Sequence, residues 1–324
     1  MFSLSQLANT YQQFHDTSGI KGAPIELYAP VNYIMSLGGK RARPVLCLAA
    51  NDMFNGDLQQ ALPLAYAIEL FHNFTLVHDD IMDQAPLRRG QHTVHKEYGT
   101  ARAILSGDVM MIHVYEYFKH LPDAAFRQVI TVFNKAAIEV CEGQQMDMNF
   151  EERQTVTLNE YLQMISFKTA VLLGASLQIG AIAAGASLTD QQALYKVGVD
   201  TGVAFQIQDD ILDSFGDEAS FGKSIGGDIR QNKKTCLLIR ALELATGNDK
   251  VQLEHYITNN DIDPEEKVAA VKQLYLKLKV VDAAEALRLE YHKGALDALH
   301  SLSLSADRIQ PLENYINSLL QRQV

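Results

Sequence analysis

Helix breakers are scarce along this chain: 8 prolines and 20 glycines are spread over 324 residues. Between them run long stretches rich in Ala, Leu, Glu, Gln and Lys, which lose little conformational freedom in a helix. Almost nothing alternates with period two, so no strand has an apolar face to bury. Two helix starts are written locally. Thr157-Leu-Asn-Glu160 has the form of a capping box, and Asp263-Pro264-Glu-Glu266 sets a cap before a proline at the first helical position. Apolar residues keep helical spacing from Asp57 to Asp83 through Leu64, Ile68, Phe71 and Phe74, interrupted only by Pro63. Further helices are expected over about 4–16, 24–36, 41–53, 101–120, 123–149, 158–186, 190–213, 231–246, 250–259, 265–279, 281–302 and 306–321. No low-complexity linker interrupts the series, so the chain reads as a single all-α domain, residues 1–324.

Charge and cysteine usage narrow the setting. The chain carries 28 Lys+Arg against 39 Asp+Glu, a net charge of −11, and has no basic run of five or more. Such a surface repels a phosphate backbone, which argues against nucleic acid as a partner. Cys47, Cys141 and Cys236 are far apart and form no CxxC pair, which suits reduced thiols in the cytoplasm. The N-terminus has no basic region followed by an apolar core, so a secretory signal is not expected. The uncharged stretch Ala170 to Ser187 matches a membrane span in length. Its many Ala and Gly, with Ser176 and Gln178 among them, favour a buried helix whose backbone lies close to a neighbour, and no transmembrane segment is expected.

One short string occurs twice. Val77-His-Asp79-Asp80-Ile-Met-Asp83 is echoed by Ile207-Gln-Asp209-Asp210-Ile-Leu-Asp213. Both are DDxxD in apolar helical sequence. Residues i and i+4 share a helix face, so Asp79 with Asp83, and Asp209 with Asp213, each present two carboxylates in one direction. Burying such acids without partners would be prohibitive. Mg²⁺ relieves that cost, since it takes oxygen ligands from one or two carboxylates and completes its shell with waters and substrate phosphates. Two facing motifs thus describe a container for Mg²⁺ and a polyphosphate. His72 precedes Asp79 by seven residues and Gln206 precedes Asp209 by three, so each motif has a polar residue on its own helix beneath it.

Cations gather at intervals. Gly38-Gly39-Lys40-Arg41-Ala42-Arg43-Pro44 places three after a glycine pair, Arg88-Arg89 follows the first acidic motif, and Lys168, Lys223 and Lys233 sit beside Thr, Gly or Ser, or Asn. In an acidic protein these suggest anion contacts, with Arg as a bidentate phosphate clamp and Lys as a point charge. The segment Ser214 to Thr235 mixes four glycines with four cations and reads as a functional loop.

Taken together these blocks closely resemble the trans-isoprenyl diphosphate synthases, the polyprenyl synthetase family. The match includes the glycine–cation block at 38–44, His72 to Asp83 with Arg88-Arg89-Gly90, Phe167-Lys168-Thr169, Phe205 to Asp213, and Gly222-Lys223 through Lys233, in collinear order. The resemblance implies a helical bundle of the isoprenoid synthase type around a deep central cavity, a homodimer, and condensation of isopentenyl diphosphate with an allylic diphosphate such as dimethylallyl, geranyl or farnesyl diphosphate. It implies that Asp79, Asp83 and Asp209 hold Mg²⁺, three ions with substrate bound, and that Asp213 assists through water. Arg88, Lys168 and Lys223 would bind the allylic diphosphate, and Lys40, Arg43, His72 and Arg89 isopentenyl diphosphate. Thr169 and Gln206 would line the reacting end beside Lys168, whose carbonyl, like that of Gln206, faces the developing cation. Lys233 would close over the site. Asn232 stands where many relatives have Gly, which puts the geometry of that closure in question.

In this family, bulky residues upstream of the first motif limit product length. Phe74, fifth before Asp79, fits a short-chain synthase of the geranylgeranyl (C20) type, with C15 and C25 as alternatives. Other readings are an HD-type phosphohydrolase using His78-Asp79, a terpene cyclase, and a non-catalytic partner subunit. The first leaves the second DDxxD unexplained, the second needs no cations at Lys40 and Arg43, and the third would be expected to have lost acids or bases that are all present.

Overall fold

The computed structural model describes residues 2–216, 225–259 and 261–320. Helices dominate them: α1 Leu4–Thr17, α2 Ile25–Ser36, α3 Ala42–Met53, α4 Leu58–Met82, α5 Val94–Tyr98, α6 Thr100–Phe118, α7 Asp123–Glu152, α8 Leu158–Ile165, α9 Val171–Ala183, α10 Leu188–Phe215, α11 Gly227–Arg230, α12 Cys236–Leu244, α13 Gly247–Thr258, α14 Pro264–Lys277, α15 Val280–His300 and α16 Ala306–Leu320. This is the all-α fold expected. Both sequence-written caps form. Thr157 Oγ1 accepts from Glu160 N at 3.3 Å while Glu160 Oε2 accepts from Thr157 N at 2.9 Å, and Asp263 Oδ1 accepts from Glu265 N and Glu266 N at 3.0 Å each.

Three departures have local causes. The run expected over 158–186 is broken by a π-helical turn, Ser166–Ala170, in which Val171 N–H bonds Ser166 O. The helix expected from 231 begins only at Cys236, because Thr235 is its N-cap and Asn232 takes a left-handed conformation, φ 54°. A two-stranded hairpin, β1 Leu87–Arg88 and β2 Gln91–His92, follows the first acidic motif. Its two-residue loop, Arg89-Gly90, has φ of 54° and 77°, the positive pair that a tight hairpin with right-handed strand twist requires.

Contacts group the chain into two compact units, one of Met1–Lys135, Leu172–Tyr195 and Ser301–Leu312, the other of Ala136–Val171, Lys196–His300 and Glu313–Val324. In the first, α4 packs against α3 and α6. Its aromatic core runs from Phe74 to Phe71 (5.6 Å between ring centroids), Phe133 (5.1 Å) and Phe118 (5.2 Å). The small residues of α9 do what their size allows: a Cβ on Gly180 would lie 2.0 Å from Cys47 O, so α9 and α3 approach closely. Asn51 Nδ2 seals that contact on Gly180 O at 3.3 Å.

In the second unit Ile207 and Ile211 of α10 bury among Tyr161, Ile229, Leu238, Val271 and Tyr275. One run among the described residues, Leu158–Ala183, is long and apolar enough by length and composition to cross a membrane, and 67% of its most apolar window is buried within the protein. The three cysteines are free thiols.

Candidate active site

In the first unit, the last turns of α4 carry Asp79 and the helix ends on Asp83, whose N–H bonds Asp79 O at 2.9 Å. The middle acid behaves differently from its neighbours. Asp80 is 1% exposed and is gripped by Arg88, whose Nε and Nη2 each donate at 2.7 Å to one of its carboxylate oxygens. Nη2 of the same guanidinium lies 3.5 Å from Asp79 Oδ2. The hairpin turn aims Arg88 back at α4, and Thr93 anchors the hairpin by donating from Oγ1 to Ala85 O at 2.8 Å. His78 takes no part: its Nε2 lies 3.2 Å from Ile104 O, and its ring packs on Phe74 at 4.8 Å. Its Nε2 also lies 4.0 Å from Asp108 Oδ1, so these polar contacts are to α6.

The basic block meets α4 two turns earlier. Gly38 and Gly39 have φ of 72° and 126°, which an L side chain rarely adopts. Arg89 Nη1 donates to Gly38 O, and a Cβ on Gly39 would lie 2.8 Å from Arg89 Cζ. The glycine pair therefore makes room for a guanidinium as well as for the turn. Arg43 Nη1 lies 3.2 Å from His72 Nε2, and Lys40 is exposed. Arg43, His72 and Arg89 thus come together around the glycine turn, as expected of an anion site.

Burial, then the positive fields of Arg43, Arg89, Arg88 and Arg41, hold the His72 imidazole well below its ordinary pKa. It is neutral near pH 7 and accepts from Arg43. A folded-state pKa below the unfolded one means that the folded chain binds fewer protons, so stability is lost as pH falls below about 6.5, by at most about 1.4 kcal/mol per pH unit. Thermal melts between pH 5 and 8 should show this slope, and His72→Gln should flatten it; an unchanged slope would assign it to other groups.

The second unit holds a cavity of about 1250 Å³ lined by Asp147, Lys168, Thr169, Gln206, Asp209, Asp210, Asp213, Asp228 and Lys233, among others. Six of the residues expected at the site thus share one cavity. Lys168 lies in the π-turn, a feature that often marks functional sites. A Cβ on Gly143 of α7 would fall 2.3 Å from Lys168 N, so the glycine permits the close approach. Lys168 Nζ donates to Asp147 Oδ2 at 2.6 Å, and Thr169 Oγ1 donates to Gln206 Oε1 at 3.4 Å.

Here too the middle acid of the motif is taken by the protein. Asp210 accepts from Tyr161 OH at 2.5 Å and from Cys236 N at 3.1 Å. Burial, followed by the nearby charge of Asp228, pushes its carboxyl up to about 8 against the opposing effect of those hydrogen bonds. Asp213 Oδ2 accepts from Asp228 N at 2.9 Å, and its carbonyl accepts from Gly226 N at 2.6 Å. Lys233 N bonds Asp228 O at 3.0 Å, and its Nζ lies 3.8 Å from Asp228 Oδ1. Asn232 fills its left-handed position and donates from Nδ2 to Ile257 O at 3.0 Å. Asn tolerates that conformation better than most residues. Lys223 lies outside the described residues.

Sequence reasoning missed Asp147, Asp228 and Tyr161. Asp147 is a single acid in no motif and Tyr161 is one apolar-face residue of α8 among several, so no local signal marked them; Asp228 lies in the functional loop segment 214–235 but was not singled out within it. Among the described residues, no three His, Cys, Asp or Glu side chains form a cluster able to hold a metal by themselves. The donors present, oxygen-only and two to a helix turn, suit Mg²⁺ completed by water and substrate oxygens.

Comparison with known proteins matches this pattern. The model of the polyprenyl synthetase family matches residues 24–275. A geranylgeranyl diphosphate synthase of Sulfolobus acidocaldarius is 39% identical over 90% of this chain and 88% of its own. A geranylfarnesyl diphosphate synthase of Natronomonas pharaonis is 35% identical over 92% of this chain and 91% of its own. The crystal structure of a geranylgeranyl pyrophosphate synthase superposes with a TM-score of 0.95, at 40% identity and full coverage of both chains. With the family model matched over a span that includes both aspartate motifs and the glycine–arginine turn, and with the helical fold superposed over the whole chain, this protein belongs to the polyprenyl synthetase family.

Proposed function

We propose that this prenyltransferase joins isopentenyl diphosphate to an allylic diphosphate and releases inorganic diphosphate, with geranylgeranyl diphosphate (C20) as its product. The observation that carries the site assignment is the difference in depth inside each DDxxD. The middle acids Asp80 and Asp210 are buried and held by Arg88 and Tyr161, and the outer acids Asp79, Asp83, Asp209 and Asp213, which are less buried, are those proposed for metal. Mg²⁺ bound there, three ions with substrate, would neutralise the charge that develops on the departing diphosphate.

The chain's own residues do the rest. Lys40, Arg43, His72 and Arg89 bind isopentenyl diphosphate and hold its double bond for attack. Arg88, Lys168 and Lys223 bind the allylic diphosphate, with Lys233 closing over it. As the allylic C–O bond breaks, the carbonyl dipoles of Lys168 and Gln206 face the developing cation, and the Thr169 hydroxyl lies beside them. Excluding water keeps the cation from being captured as an alcohol. The new C–C bond forms, and the proton lost on regenerating the alkene passes to the released diphosphate.

The family match spans segments of both units, which supports reading the chain as one catalytic domain. Exposed Ile104, Leu105 and Ile112 on α6 support a homodimer, which a mass of 36.0 kDa by light scattering would overturn. A cytoplasmic location fits the free thiols.

Chromatography of products made from isopentenyl diphosphate with geranyl or farnesyl diphosphate and Mg²⁺ tests activity and length together; no consumption of either primer would overturn the reading. C25 is the alternative, since geranylfarnesyl synthases are among the relatives. Phe74, packed on Phe71 and His78, is the proposed floor. Phe74→Ala should shift the product by at least one isoprene unit, and unchanged length would assign the floor elsewhere.

A further inference from the structure

We propose that Glu69 is a positioning residue for the isopentenyl diphosphate site, acting through Arg41; this rests on assigning that substrate to Lys40, Arg43, His72 and Arg89. Arg41 sits in the middle of the basic block yet points inward. It is 8% exposed, its Nη1 donates to Glu69 Oε1 at 2.6 Å, and its Nη2 donates to Met35 O at 2.5 Å. Glu69 is 2% exposed and also accepts from Asn73 Nδ2 at 3.2 Å.

The pair ties the start of α3 to α2 and α4 at once. Arg41 is itself in a left-handed conformation, φ 48°, which a non-glycine residue keeps only when its surroundings hold it there. Holding it fixes Lys40, just before it on the exposed side of the turn, and Arg43, the second residue of α3, where it meets His72. Glu69 and His72 are three apart on α4, on the same face, so one stretch of helix anchors Arg41 and Arg43 side by side.

Charge gives a second reason. Four guanidiniums, those of Arg41, Arg43, Arg88 and Arg89, act on His72. Glu69 pairs with Arg41, which points inward, as Asp80 pairs with Arg88; Arg43 and Arg89 are the two assigned to isopentenyl diphosphate. A buried ion pair contributes little to stability compared with an apolar pair of similar volume, so its effect is expected in geometry.

Steady-state kinetics with Mg²⁺, varying isopentenyl diphosphate and geranyl diphosphate in turn, test this. Glu69→Gln should raise the KM for isopentenyl diphosphate roughly ten- to hundred-fold, the scale of an ångström's misplacement, and leave the KM for geranyl diphosphate within about twofold of wild type. Because Glu69→Gln strands a buried guanidinium, the double variant Arg41→Leu/Glu69→Leu is measured beside it. It should fold, by circular dichroism and melting temperature, and keep the selective rise in KM. A double variant that fails to fold, one with wild-type KM for isopentenyl diphosphate, or an equal rise in both KM values would each overturn the inference. His72→Ala separates the two levels. If it leaves the KM for isopentenyl diphosphate unchanged, the substrate assignment itself fails; if it raises that KM while the double variant does not, only the role of Glu69 fails.

Discussion

Asp79→Ala and Asp209→Ala should each lower kcat by about 10³-fold or more, with far-ultraviolet circular dichroism and melting temperature close to wild type. Both halves of that expectation come from geometry. Asp79 and Asp209 are outer members of their motifs, on the last turns of α4 and α10, whereas their neighbours Asp80 and Asp210 are the deeply buried ones. Removing an outer acid would delete a proposed ligand to the ion that stabilises the leaving group, without emptying the core. Steady-state rates at saturating substrate and Mg²⁺ check the first half, and thermal melts the second. An Asp79→Ala/Asp209→Ala double variant that still turns over would remove both motifs from catalysis.

Arg88→Ala should lose both stability and activity. It strips the fork from Asp80, a carboxylate with 1% exposure, and leaves a buried charge uncompensated. Such losses cost about 3 kcal/mol or more, which in a chain of this length lowers the melting temperature by roughly 4–5 °C or more. Arg88→Lys should fall between, because an ammonium cannot reproduce two parallel N–H donors. Differential scanning calorimetry and kcat measured on the same preparations separate the two roles of this side chain. A loss of activity with an unchanged melting temperature would assign Arg88 to substrate alone.

These two predictions mark what could be read from the sequence and what could not. The outer aspartates were legible because their relation is local: a spacing of four on a helix fixes a shared face whatever surrounds it. The capping residues Thr157 and Asp263 were legible for the same reason. The partner of each middle aspartate was not. Tyr161 is 49 residues from Asp210, and nothing in α8 distinguishes that tyrosine from a residue that merely fills the core.

Arg88 lay in plain view as part of a basic pair, and its charge suggested a phosphate clamp. Its engagement with Asp80 depends on a hairpin whose strands are two residues long, too short for any alternation to show. The π-turn at Ser166–Ala170 left no mark either, since one extra residue in a helix changes hydrogen bonding without changing composition. Arg41 was read with its block, and its inward direction follows from a backbone angle that composition does not encode.

The two copies of DDxxD are therefore different electrostatic objects written with the same letters. In one the central carboxylate has a guanidinium as its counter-charge; in the other it has a phenol and a backbone amide, and burial with the nearby Asp228 pushes it up to about 8. Transplanting either string into the other's helix would move the outer carboxylates faithfully. It would leave behind the distant residues that hold the central one, Arg88 for Asp80 and Tyr161 for Asp210.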